Sequence, residues 1–139
     1  MSDLDTARRV LAEARTVAVL GAHADPDKPA YYVPAYLASH GYRILPVNPG
    51  RVGEVLHGAP VVSTLAELGP GVDVVDVFRR AEHLAGHLDD VLALAPRAVW
   101  LQSGIRDDAF AARLRAAGIE VVQDRCMLAD HRSLRPDRR

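Results

Sequence analysis

Cysteine is nearly absent from this sequence: Cys126 is the only one. A single thiol excludes an internal disulfide framework, so the 139-residue chain must hold its fold by packing. It also suits a reducing compartment. Lysine is as scarce. Of 17 basic residues, Lys28 alone is not arginine, and it stands in a polar loop. An excess of one charge is missing too: 17 basic against 18 acidic residues give a formal net charge of −1, so no global field draws in nucleic acid. No apolar run approaches the ~20 residues that span a bilayer. The polar, acidic start lacks the pattern of a secretory signal. The expectation is a cytoplasmic protein with neither nucleic acid nor membrane as partner.

What is present is an ordinary globular composition, 49% hydrophobic and 25% charged, without repeats, linkers or low-complexity segments. The length predicts one domain over residues 1–139, its core over about 12–134. Apolar spacing predicts a helix from Asp5 to Ala14, and "TVAVL" (Thr16 to Leu20) reads as a strand buried on both faces. "YYVPAYLASHGY" is helical, with Gly41 as its stop and Pro34 in or near its first turn or kinking it. "RILPV" (Arg43 to Val47) is the second strand. A looser section then holds a short strand at "PVV" and a helical turn capped by Ser63. Val72 to Phe78 is a third core strand, followed by a long amphipathic helix from Arg80 to Ala95, weakened at Gly86. Arg97 to Leu101, a helix over "DDAFAARLRAAG" and the strand "IEVVQ" complete the pattern; the tail after Arg132 frays. Strand and helix alternate with short connections. The fold class is therefore α/β: a Rossmann-like, doubly wound sheet, mainly parallel, of about five strands with helices on both faces.

Ligands of such sheets bind beyond the carboxyl ends of the strands. Here those ends read "GAHADPDK", "NPG", "FRR", "QSG" and "DRC", rich in glycine, polar and basic residues, which suits an extended anionic ligand. Gly21 lets the backbone approach a ligand, and the helix start after it offers free N–H groups to a phosphate. Lys28 adds a compact positive charge. Asp25 and Asp27 oppose an anion and are expected to fold back on the loop backbone. The G-x-G-x-x-G fingerprint, the later acid that holds the ribose of NAD, and the G-x-x-x-x-G-K-[ST] loop are all missing, which disfavours NAD binding and ATP hydrolysis.

The ordered motifs "GAHADPDKPAYYV", "GYRILPVNP", "DVVDVFRR", "AVWLQSGI" and "VVQDRCMLADH" resemble the small stand-alone bacterial CoA-binding proteins. Those are similar to the CoA-binding domain of succinyl-CoA synthetase, and the resemblance covers roughly Ala12 to Leu134. It implies binding of coenzyme A or an acyl-CoA by a module without a reaction of its own. By the same resemblance Gly21, Ala22 and His23 lie beside the diphosphate, with Lys28 as counter-charge. Asn48 and Pro49 lie near the adenosine; Val77, Phe78 and Arg79 line the middle of the ligand; Gln102 and Gly104 flank the pantetheine arm. His23 stands where the family commonly has serine, Gln123 where Met is common, and Asp130 where Glu is common. Another adenine nucleotide remains open as the ligand.

Cys126 reads either as a packed small residue or as a thiol that exchanges with CoA, helped by Arg125. Asp124, Cys126 and His131 contain a nucleophile and a base, but no orienting partner or oxyanion site is visible, and no catalytic residue is assigned. His83, His87 and Asp90 share metal-ligand chemistry on a solvated helix face; no metal is assigned. Of Arg79 and Arg80, the first is expected toward the ligand and the second beside a carboxylate such as Asp76. Trp100 belongs to the core and needs a partner for its indole N–H. Phe78 fits either the core or the ligand. An acyl-CoA-dependent transferase or ligase fragment acting with a partner subunit is the enzymatic alternative. No segment identifies a dimer interface, so a homodimer also stays open.

Overall fold

The structure, a computed structural model, describes residues 2–136. Helix α1 is Asp3–Glu13, begun by a capping box in which Ser2 Oγ accepts the Asp5 N–H while the Asp5 carboxylate accepts from Ser2. That cap moves the start two residues ahead of the predicted one. Strand β1 (Thr16–Leu20), helix α2 (Pro29–Ser39) and strand β2 (Arg43–Val47) follow. A small antiparallel hairpin, β3 (Val55–Leu56) and β4 (Ala59–Pro60), occupies the looser section. The rest is β5 (Val74–Val77), α3 (Leu88–Leu94), β6 (Ala98–Leu101), α4 (Asp108–Ala116), β7 (Glu120–Val122) and α5 (Met127–Leu134).

The main sheet has five strands in the order β2-β1-β5-β6-β7, every neighbouring pair parallel. Strand order reverses between β1 and β5, the position where a doubly wound sheet opens a crevice at its carboxyl end. The expected Rossmann-like α/β fold is therefore present. Period-two alternation divides the buried residues. Val17, Val19, Val74 and Trp100 pack with Leu11, Leu37 and Met127 from α1, α2 and α5. Ala18, Leu20, Val75 and Leu101 face the other way, onto Leu65, Leu84, Val91 and Leu114. Helices thus cover both faces, and only strand ends and sheet edges reach the surface.

Four expectations are corrected. The helix foreseen from Arg80 to Ala95 is a 3-10 segment, Ala81–His87, followed by the short α3, with the change falling next to Gly86, which has the lowest helix propensity of any residue but proline. The turn near Ser63 is capped one residue later, at Thr64: Glu67 Oε2 accepts the N–H groups of Ser63 and Thr64 at 2.6 and 2.9 Å. The "PVV" strand is divided between β4 and a lone bridge from Val62 to Val47. Helix α5 had no counterpart in the reading, because its eight residues are too few to show a periodicity. Pro34 sits in the second turn of α2. It has no N–H for the Ala30 carbonyl, which accepts the His23 N–H instead, at 3.4 Å. Trp100 finds its partner in the Arg125 carbonyl, 2.7 Å from Nε1.

The reversal of strand order brings the ends of β1 and β5 very close. Gly21 has φ +89°, and a Cβ on it would lie 3.0 Å from the Phe78 carbonyl oxygen and 3.1 Å from Arg79 Cδ. Gly21→Ala is therefore expected to destabilise the protein by about 1–3 kcal/mol, the usual cost of a strained backbone position. Urea unfolding of the two proteins checks this.

Candidate functional site

Two clefts open at the carboxyl end of the sheet, and Gly21 borders both. The larger, of about 410 Å³, is lined by Lys28 and His23 of the first loop, by Tyr32 and Phe78, and by Gln102 just after β6 and Cys126 at the start of α5. The smaller, of about 110 Å³, lies between Pro49, Leu65 and Val47, with Arg79 and His87 at its rim. A groove of about 480 Å³ runs beside the β2 edge, but Tyr42, Ile44, Leu45 and Ala59 make it mostly apolar and it lies away from the strand-order reversal.

The loop after β1 is fastened by the end of β2. The Val47 carbonyl accepts both the Gly21 and Ala22 N–H groups, at 2.9 and 3.2 Å. Asn48 Nδ2 donates to the Ala22 carbonyl at 2.8 Å, and Asn48 Oδ1 accepts from Gly50 at 2.9 Å. The amides of Gly21, Ala22 and His23 are thus all engaged inside the protein. The Ala30 N–H at the start of α2, by contrast, has no protein partner among the described residues. Asp25 does fold back, accepting the Asp27 N–H at 3.0 Å. Lys28 is exposed at the helix start, borders the larger cleft, and has no ion-pair partner among the described residues.

His23 carries a conflict. Its Nδ1 accepts the Asp25 N–H at 2.9 Å, so the ring proton belongs on Nε2. Nε2 in turn lies 3.1 Å from Arg51 Nη2, which can only donate. Two donors face each other. Among the described residues the Arg51 guanidinium is otherwise met only by the Glu54 carboxylate, at 3.4 Å.

Beneath the larger cleft, Asp76 is fully buried in β5, in register with Val19 and Trp100. Its Oδ1 accepts from Gln102 Nε2 at 2.6 Å, and its Oδ2 has no partner among the described residues. Burial pushes its pKa up to about 8, against a smaller opposing effect of the Gln102 hydrogen bond. Asp76 accordingly keeps its proton at neutral pH.

The sequence of this chain matches the profile of the CoA binding domain family over residues 15–132. The chain belongs to that family. It is similar to the uncharacterized protein YneT of Bacillus subtilis, 32% identical over 89% of this chain and 90% of the relative. A solved structure from Thermus thermophilus is 52% identical, with a TM-score of 0.91 over 96% of this chain and 99% of that one. The fold also recurs in the dinucleotide-forming acetyl-coenzyme A synthetase 1 of Ca. Korarchaeum cryptofilum. There the identity is 21% and the TM-score 0.69, over 80% of this chain and 26% of that larger one.

Within this CoA-binding domain the residues expected at the ligand divide into two groups. Gly21, His23, Lys28, Phe78 and Gln102 come together around the larger cleft, and Pro49 and Arg79 join Gly21 at the smaller. Phe78 serves in both ways left open for it: it packs against the core and lines the cleft. The other four line neither cleft. Ala22 and Val77 are buried, Asn48 ties two loops together, and the Gly104 N–H is held by Asp124 Oδ1 at 2.6 Å. Arg80 does not reach Asp76; it is exposed, with Glu82 at 3.8 Å. Arg125 forms a two-bonded pair with Asp130, at 2.7 and 2.9 Å, so its charge is already matched and is not reserved for Cys126. Asp124, Cys126 and His131 serve separate surroundings, for His131 Nδ1 meets Tyr36 Oη at 2.8 Å. No group of three metal-ligating side chains occurs among the described residues. Arg51 and Tyr32 escaped the sequence reading. Arg51 was legible as a cation directly after "NPG", whereas Tyr32 looked like any helical aromatic.

The raised pKa of Asp76 links stability to pH. The folded protein holds this proton up to about 8, while an unfolded Asp releases it near 3.9. The contribution of Asp76 to stability is therefore greatest below the unfolded value and falls as pH rises through this window. The difference in unfolding free energy between wild type and Asp76→Asn should shift against the wild type between pH 5 and pH 9. Urea titrations at the two pH values measure it; an unchanged difference contradicts a buried neutral acid.

Proposed function

We propose that the chain binds coenzyme A or an acyl-CoA across the two clefts, as a single-domain module without chemistry of its own. The observation that carries the reading is the pair of clefts that both border Gly21, with Lys28, which has no ion-pair partner among the described residues, lining the larger. The diphosphate sits at Gly21. Lys28 and the Ala30 N–H neutralise and hold it, since the three preceding amides are engaged. An anionic oxygen between His23 Nε2 and Arg51 would also supply the acceptor that those facing donors lack. The adenosine takes the slot between Pro49 and Leu65, near Arg79, whose buried Nε has no partner among the described residues. The pantetheine arm runs between Tyr32 and Phe78 toward Gln102. A cytoplasmic location accords with this ligand and with the free Cys126.

Calorimetric titration with CoA, acetyl-CoA, ADP and NAD tests the proposal. CoA should bind more tightly than ADP, and NAD should not compete. Lys28→Ala should weaken CoA by about tenfold, a loss of roughly 1.4 kcal/mol. Equal affinity for CoA and ADP would leave the larger cleft without a role.

A second reading rests on Cys126, half-buried at the start of α5 and lining the same cleft as the arm. In it the Cys126 thiolate attacks a CoA disulfide, forming a protein–CoA disulfide and releasing one CoA thiol. Intact mass after incubation with CoA disulfide should show one CoA adduct that reductant removes and Cys126→Ser abolishes. No adduct would leave Cys126 a packing residue.

A further inference from the structure

A carboxyl group with no exposed surface and an unmet oxygen is out of keeping with the strand that holds it. Asp76 has Val75 and Val77 on either side and Val19 and Trp100 alongside, all buried. Valine there would complete the pattern without burying a polar group, so Asp76 weakens the fold for its own part. Its single hydrogen-bond partner is Gln102 Nε2, at 2.6 Å. Gln102 is itself 4% exposed, and that small surface lies on the larger cleft. Gln102 Oε1 has no partner among the described residues, so the amide has one end in the sheet and the other toward the cleft. An amide free to turn would present its oxygen or its nitrogen alike. One whose nitrogen is engaged presents only an acceptor.

We propose that Asp76 is a positioning residue: by taking Gln102 Nε2 it turns Oε1 to the cleft, where it accepts a hydrogen bond from an N–H or S–H donor on the pantetheine arm. The inference rests on the CoA reading above and adds to that cleft a directional polar contact beyond those of Lys28 and His23. Phe78 and Ile105 line the cleft as apolar wall, with Ser103 and Cys126 beside them. The contact selects for a ligand arm with a donor at this depth, and against a bare nucleotide, which does not reach it.

A double-mutant cycle read by calorimetry tests it, with CoA and ADP as ligands. Asp76→Val and Gln102→Leu should each weaken CoA roughly fivefold to tenfold, about the value of one net hydrogen bond. The double variant should lose no more than either alone, because the two residues act as one unit. ADP affinity should not change, and Asp76→Asn, which keeps an acceptor, should retain CoA affinity. Normal CoA binding by Asp76→Val, additive losses, or a parallel loss of ADP binding would overturn the proposal. Should Asp76→Val fail to fold, wild-type protein still decides by NMR: the Gln102 side-chain amide protons should exchange slowly in the free state, and rapid exchange overturns it. Wild type that binds no CoA refutes the CoA reading itself, an outcome distinct from variants that bind like wild type.

Discussion

The Val47 carbonyl, accepting two successive N–H groups from the loop after β1, is the contact on which the site depends. It pins that loop to the end of β2 at the same place where Gly21 slides past the end of β5. Asn48 reinforces the joint through the Ala22 carbonyl. Through it Gly21, which borders both clefts, is held against the end of β2. The joint has a chemical consequence as well. It consumes the amides that a glycine loop of this kind would otherwise offer to a phosphate, so that in the proposed mode of binding the anion is left to side chains and to the first turn of α2. The scarcity of lysine makes sense in this setting, because the compact ammonium of Lys28 can follow a diphosphate as a point charge.

The covered sheet imposes the rest. Both faces carry helices, so function is confined to the strand ends, and polar residues inside the sheet stand out. Among the described residues Asp76 and Gln102 are two of four buried polar or charged side chains, and they bond to each other where Gln102 lines the larger cleft. The other two, Gln123 and Asp130, belong to structural joints: Gln123 holds the start of α4 through Asp107 and Asp108, and Asp130 pairs with Arg125. That division separates residues that stabilise connections from a pair of which one, Gln102, lines the larger cleft.

Much of this was legible in the sequence. Continuous apolar runs such as "TVAVL" mark strands covered on both faces, and the polar, glycine-bearing strand ends mark where a ligand can sit. What escaped was what depends on distance. Val77 and Ala22 are adjacent in sequence to residues that line the clefts, yet strand alternation and close packing turn them inward. Arg51 meets His23 only because two loops converge. The pairing of Asp76 with Gln102 joins a residue of β5 to the one that follows β6, which no local pattern encodes. The 3-10 segment before α3 and the hairpin β3–β4 were missed because short elements show no reliable period.

The central claim is one of place: CoA lies across the strand-order reversal. Hydrogen–deuterium exchange with and without CoA tests it most directly, since it needs no variant. The account predicts slower exchange on CoA binding in peptides holding Ala30 to Tyr32 and Gln102 to Ile105, with α1 at the opposite end of the sheet unchanged. Protection along the β2 edge groove instead, with the start of α2 unaffected, would contradict it.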